Sequence, residues 1–152
     1  MADATLDALR EVLEESLGEL QKGVAGLTVD QLNARPAGGD TNSIAVIVTH
    51  ALGSTRSWLS LALGAPMPDR DRPAEFRAVA DEGFAAWTDD AIASCLALLD
   101  GATWDPSRVG TANWTKSHET RTAAYAASHA LSHLGEHVGH LHMTVELLRD
   151  GA

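Results

Sequence analysis

Residues 129–148 read HALSHLGEHVGHLHMTVELL, and two periodicities are superimposed in that stretch. Leu131, Leu134, Val138, Leu141, Val145 and Leu148 recur at three- and four-residue steps, the spacing of one apolar helix face. His129, His133 and His137 are each four apart, and His140 follows three later. Taking His129 as the origin, His140 falls at roughly 20°, His133 at roughly 40° and His137 at roughly 80°, so the four imidazoles share a second face. His142 points to nearly the opposite side. The pattern predicts a helix over residues 120–149, roughly 45 Å long.

Working outward, every other strongly periodic segment is also helical. Leu6, Leu9, Leu13, Leu17, Leu20, Val24 and Leu27 make one stripe over residues 4–27, with Glu11, Glu14, Glu15 and Glu19 on the solvated side. Thr28 caps a short turn through Leu32, which Pro36, Gly38 and Gly39 end. A second long helix opens at Asn42 or Ser43 and closes at Gly64 and Pro66, burying Ile44, Ile47, Val48, Ala51, Leu52 and Leu59. After a proline- and charge-rich crossing, a third helical region covers residues 75–99, broken or re-capped by Thr88. Residues 101–118 read as an irregular loop, and no segment reads as a strand. The fold class is therefore all-α, a four-helix bundle in one domain over residues 1–152. The two long connections leave the topology open on physical grounds.

Composition narrows the function. The chain has 152 residues, 45% of them hydrophobic, with 21 acidic against 11 basic residues and a formal net charge of −10. Such a surface repels phosphate backbones and anionic lipid, so neither nucleic acid nor membrane is the expected partner. No apolar run reaches the roughly 20 residues of a membrane helix, no signal peptide is visible, and a cytoplasmic location is expected. The single cysteine, Cys95, excludes an intrachain disulfide and Cys/His zinc fingers.

The histidine face reads as a metal-ligand surface. His129 and His137 are some 12 Å apart along the helix axis, too far to share an ion bound at about 2.0–2.1 Å. The adjacent-turn pairs 129/133, 133/137 and 137/140 are each feasible and need a third ligand from another helix. His50, beside the buried stripe of the second helix, is the natural candidate. The zincin pattern is absent, because Leu134 rather than glutamate follows His133. So are the paired Glu-x-x-His motifs of carboxylate di-iron bundles, since Glu136 lies four residues before His140.

The ordered set LNARP (32–36), NSIAVIVTH (42–50), RDRPAEF (70–76) and HALSHLGEHVGHLHMTVELL (129–148) resembles the DinB-like (YfiT-like) metalloenzyme superfamily over nearly the whole chain. The resemblance implies an up-up-down-down bundle, usually dimeric. It implies a metal site made by His50 with the pair His133 and His137, holding zinc or nickel. His140 takes a position that is often glutamine in the family, and His129 one that is often histidine without being a ligand. Characterised relatives include low-molecular-weight-thiol transferases and a maleylpyruvate isomerase.

Three neutral imidazoles leave coordination positions open, as a catalytic site requires. An ion so held acidifies water and deprotonates a thiol. Three activities follow as expectations: transfer of a small-molecule thiol, metal-dependent hydrolysis, or metal or ligand binding by a non-catalytic dimeric bundle. His140 and Glu136 are the candidates to support the ligands from behind. A homodimer is expected from the resemblance and from the wide apolar spread of Trp58, Leu61 and Leu63. Because each ligand must be a neutral imidazole, metal binding is expected to weaken below about pH 6.

Overall fold

The computed structural model describes residues 3–36, 38–114 and 118–150. Helix α1 (Ala4–Val24) starts where the Asp3 carboxylate accepts the Thr5 amide hydrogen bond, and it buries Leu9, Leu13, Leu17, Leu20 and Val24. Helix α2 (Val29–Asn33) is a single turn closed by a reciprocal capping box between Thr28 and Gln31. Asn33 then exchanges two hydrogen bonds with the backbone of Ala80, stapling this turn to the end of the later crossing.

Helix α3 (Ile44–Leu63) is the central element. Ser43 caps it by accepting from the Val46 amide, and only Arg56 within it is exposed. Gly64 ends it in the left-handed conformation, φ 66°, which a side chain would strain. The crossing carries a four-residue helix, α4 (Arg72–Glu75), whose start is fixed by Asp71 accepting from Ala74 and by Pro73 in the first turn. Helix α5 (Phe84–Ala97) follows.

Two sequence expectations fail here. The break in the third helical region lies between α4 and α5, with Gly83 at the start of α5. Thr88 is buried mid-helix and donates to the Phe84 carbonyl instead of capping. The segment read as an irregular loop, residues 101–118, contains strand β1 (Val109–Ala112), which pairs antiparallel with β2 (Glu119–Thr122) just beyond it, with Val109 opposite Thr122 and Ala112 opposite Glu119. Four-residue strands reading VGTA and ETRT carry too little apolar alternation to register as strands. Residues 115–117 of that segment lie outside the described residues. Helix α6 (Ala123–Asp150) completes the chain, so the predicted residues 120–122 belong to β2.

The fold is thus mostly helical with one small sheet. Helices α1 and α3 each pack on both α5 and α6, around one core that includes Leu13, Leu17, Leu59, Leu134 and Leu141. The pairings also set direction. Arg10 bonds Asp100 and Gln21 bonds Asp89, so α5 runs antiparallel to α1. Leu9 and Val12 share a cavity wall with Ala127 and Leu131, while Glu19 lies 3.6 Å from His142, so α6 runs parallel to α1. Trp58 packs on His129 and His50 on His137, so α3 runs antiparallel to α6. In chain order the four long helices therefore go up, down, down, up. This corrects the expected up-up-down-down order. The residues between α3 and α5 do not close a hairpin; they run back along α3 and make α3 and α5 parallel, carrying α4 past the middle of α3.

The apolar residues that suggested a dimer face are covered by the chain itself. Trp58, Leu61 and Leu63 are buried, Leu61 beside Gly110 of β1 and Trp58 against Trp114. The segment that looked irregular is what lies over Trp58 and Leu61.

Candidate metal centre

Three elements converge halfway along the bundle. Helix α3 brings His50, α6 brings His133 and His137 one turn apart, and α4 brings Glu75. One ring nitrogen from each histidine lies within 4.8 Å of the other two, the only such cluster among the described residues. The Nε2 atoms of His133 and His137 are 3.3 Å apart. Two ligands held about 2.0–2.1 Å from one ion at a tetrahedral angle are separated by about 3.3–3.4 Å, so the pair already has the spacing of a shared ion.

The histidines are held by different means. The Nδ1 of His50 lies 2.8 Å from Glu75 Oε2, and Arg70 grips the same carboxylate with two hydrogen bonds, 2.6 Å to Oε1 and 2.9 Å to Oε2. Burial opposes ionisation of Glu75, but the bonds from His50 and Arg70 outweigh it and hold its pKa below the ordinary value. With Nδ1 engaged by a carboxylate, Nε2 is the free donor of His50, the carboxylate–histidine arrangement that orients metal ligands. Phe76 packs on the other side of the ring at 4.6 Å between centroids. Gly53, one turn along α3, makes this approach possible, because a Cβ there would collide with Glu75 Oε1.

His133 and His137 have no such anchor. Their Nδ1 atoms are buried and without a hydrogen-bond partner among the described residues. If Nδ1 carries the proton, two Nε2 lone pairs face each other; if one Nε2 carries it, that ring's Nδ1 lone pair is left bare. Neither assignment satisfies the pair; with both protons on Nδ1, a cation between the Nε2 atoms would take up the two facing lone pairs. Burial, followed by the charges of His137 and His50, pushes His133 down to about 4; burial and then His50 do the same to His137. Both are therefore neutral, and available as ligands, well below neutral pH. The residues present fit a divalent ion.

Each residue singled out in the sequence has a definite place. His50, His133 and His137 come together. His129 lies outside the cluster, stacked between Tyr125 and His133 at centroid distances of 5.8 and 5.6 Å and packed on Trp58 at 4.4 Å. His140 and Glu136 are exposed, and neither side chain bonds to the three rings. The supporting carboxylate is Glu75 instead, 25 residues beyond the His50 it orients and invisible to any helix-periodicity argument. Its only trace in the sequence is its place in RDRPAEF, before an aromatic residue that also touches His50.

The family model of the DinB superfamily matches residues 5–141. The chain belongs to the DinB superfamily. A crystal structure described as the conserved protein of locus from Enterococcus faecalis is similar to it, with a TM-score of 0.71 and 20% sequence identity over 98% of this chain and 99% of that one. At that identity the likeness speaks for the fold alone. None of the curated proteins matches the sequence. Superfamily membership and the three-histidine cluster agree on a metal-binding protein, and no helix among the described residues is long and apolar enough to cross a membrane.

Proposed function

We propose that this DinB-superfamily chain holds a divalent ion, zinc or nickel, on His50, His133 and His137 and uses it to transfer a low-molecular-weight thiol to an electrophile. The observation that carries the reading is the convergence of three imidazole donors, one of them pre-oriented by a buried carboxylate, at the edge of an open cleft. When bound, the ion supplies the positive charge that keeps a small thiol deprotonated at neutral pH. The chain's own residues do the rest. Glu75 and Arg70 fix the orientation of His50, and α6 presents its pair from a regular helix. The thiol must come from solution, because burial pushes Cys95 up to about 12 and leaves it unreactive.

A reducing cytoplasm, rich in small thiols, is the setting that goes with this reading. So does a homodimer, on the strength of the family resemblance; light scattering that returns the monomer mass at micromolar concentration contradicts it. The activity is tested by loading the full chain with zinc or nickel and incubating it with a panel of small thiols and electrophiles. Thiol-dependent loss of electrophile supports transfer. Thiol-independent turnover replaces the reading with hydrolysis, and stoichiometric metal binding without turnover replaces it with a binding protein.

A further inference from the structure

A cleft of about 400 Å³ opens beside the three histidines, with His50 and His133 in its wall. Trp58 and Trp114, perpendicular to each other at 5.1 Å, give it an apolar side. Arg70, Arg72 and His129 stand among its polar groups, and Ser54 completes it. No aspartate or glutamate lines it among the described residues. In a chain with 21 acidic and 11 basic residues, a wall with two arginines and no carboxylate departs sharply from the rest of the surface. The neighbouring cavity, which shares Arg70, shows the contrast: it also has two arginines, Arg56 and Arg70, but Asp69, Asp71, Glu75 and Asp90 line it beside them.

The two arginines are not equivalent. Arg70 is buried and committed to Glu75 by its double hydrogen bond. Arg72 is exposed at the start of α4 and has no ion pair among the described residues; its guanidinium lies 5.1 Å over the Phe76 ring, which also packs on His50. A guanidinium stacked on a ring keeps its N–H edge free to take an oxyanion in its fork. Resting on the reading of this site as a small-molecule transferase, we propose that its substrate is a small molecule with an apolar or flat body and an oxyanion terminus. The body lies against Trp58 and Trp114, and a carboxylate or phosphate group is held by Arg72.

Calorimetry on the full chain, chelator-treated and again zinc-loaded, tests this with 3-phenylpropanoate, phenyl phosphate and the neutral 3-phenylpropanamide. The expected result is that at least one oxyanion binds about tenfold or more tighter than the amide, in keeping with a hydrogen bond to a charged group. Arg72→Gln should remove that preference, and Arg72→Lys should retain part of it. The stronger of the two oxyanions identifies the terminus. Arg72 is exposed, so neither variant threatens the fold, and a circular dichroism spectrum confirms that. Equal binding of acid and amide in both preparations, or an Arg72→Gln chain that binds like the parent, overturns the inference. Zinc titration in the same experiment separates the two readings: oxyanion selectivity in a chain that binds no zinc leaves the cleft assignment standing and removes the metal-dependent one.

Discussion

His50 and the α6 pair meet at one point, yet the two sides of the site are built on opposite principles. His50 is fixed from behind by a buried chain of hydrogen bonds, Arg70 to Glu75 to Nδ1, which selects its tautomer before any ligand arrives. His133 and His137 are positioned by helical geometry, burial and ring packing, and their outer nitrogens have no hydrogen-bond partner among the described residues. Pre-orientation on one side is combined with an unsatisfied pair on the other. The first reduces the ordering needed on binding, and the second leaves a hole that a cation fills. The contrast predicts that the two sides fail differently.

Removing a donor has the largest effect. His133→Ala, His137→Ala and His50→Ala should each abolish stoichiometric zinc binding in a calorimetric titration, because two imidazoles grip a divalent ion poorly. If His129→Ala strips the metal while His137→Ala does not, the ligand pair lies one turn earlier on α6.

Acid comes next, and the sign can be worked out for the metal-free chain. His133 and His137 titrate near 4 when folded and near 6.5 when unfolded, so between those values the unfolded chain binds more protons. Stability therefore rises with pH across that window and falls as pH drops from about 6.5 towards 4. Glu75, with a lowered pKa, acts in the same direction below its unfolded value. Proton competition at the α6 pair sets in near pH 4, lower than the pH 6 expected from unperturbed imidazoles. Dialysis followed by elemental analysis should find the metal retained at pH 5 and lost at pH 3.5; complete loss at pH 5.5 would contradict the burial argument.

Disturbing the anchor should be milder. Glu75→Gln should weaken zinc binding about 10–100-fold, as changes behind a ligand typically do, and should cost the metal-free chain about 3 kcal/mol by leaving Arg70 buried without its partner charge. Gly53→Ala reaches the same anchor indirectly. Alanine in a helix interior ordinarily gains about 1 kcal/mol over glycine, but here its methyl displaces Glu75, at a cost of about 1–3 kcal/mol. The balance should be a small net destabilisation in a denaturant melt, with zinc affinity reduced less than in Glu75→Gln. A Gly53→Ala chain that is more stable and binds zinc normally would show that Glu75 has room to move.

His129→Ala should have the smallest effect on the metal. Its ring belongs to the Tyr125–His133 stack and the Trp58 contact, so zinc stoichiometry should persist while thermal stability drops modestly.

Residues 129–148 alone determined that α6 is a helix with one apolar and one imidazole face, because a 3.6-residue period survives whatever surrounds it. Apolar periodicity likewise made α1 and α3 legible, and capping residues marked two starts without tertiary help, Thr28 that of α2 and Ser43, one of two candidates, that of α3. Candidate ligands were legible as types and spacings, with several pairs on α6 left open until the family likeness singled one out. The remaining features rest on contacts between segments far apart in the chain. Glu75 becomes part of the site only because the crossing folds back along α3 and Gly53 leaves room for its carboxylate. Helix direction was decided the same way, since a connection of that length can either close a hairpin or traverse the bundle. The hairpin over Trp58 and Leu61 turned an apparent outer face into interior. Local periodicity records which side of an element is apolar; only tertiary packing decides what covers it and which distant charge stands behind each ring.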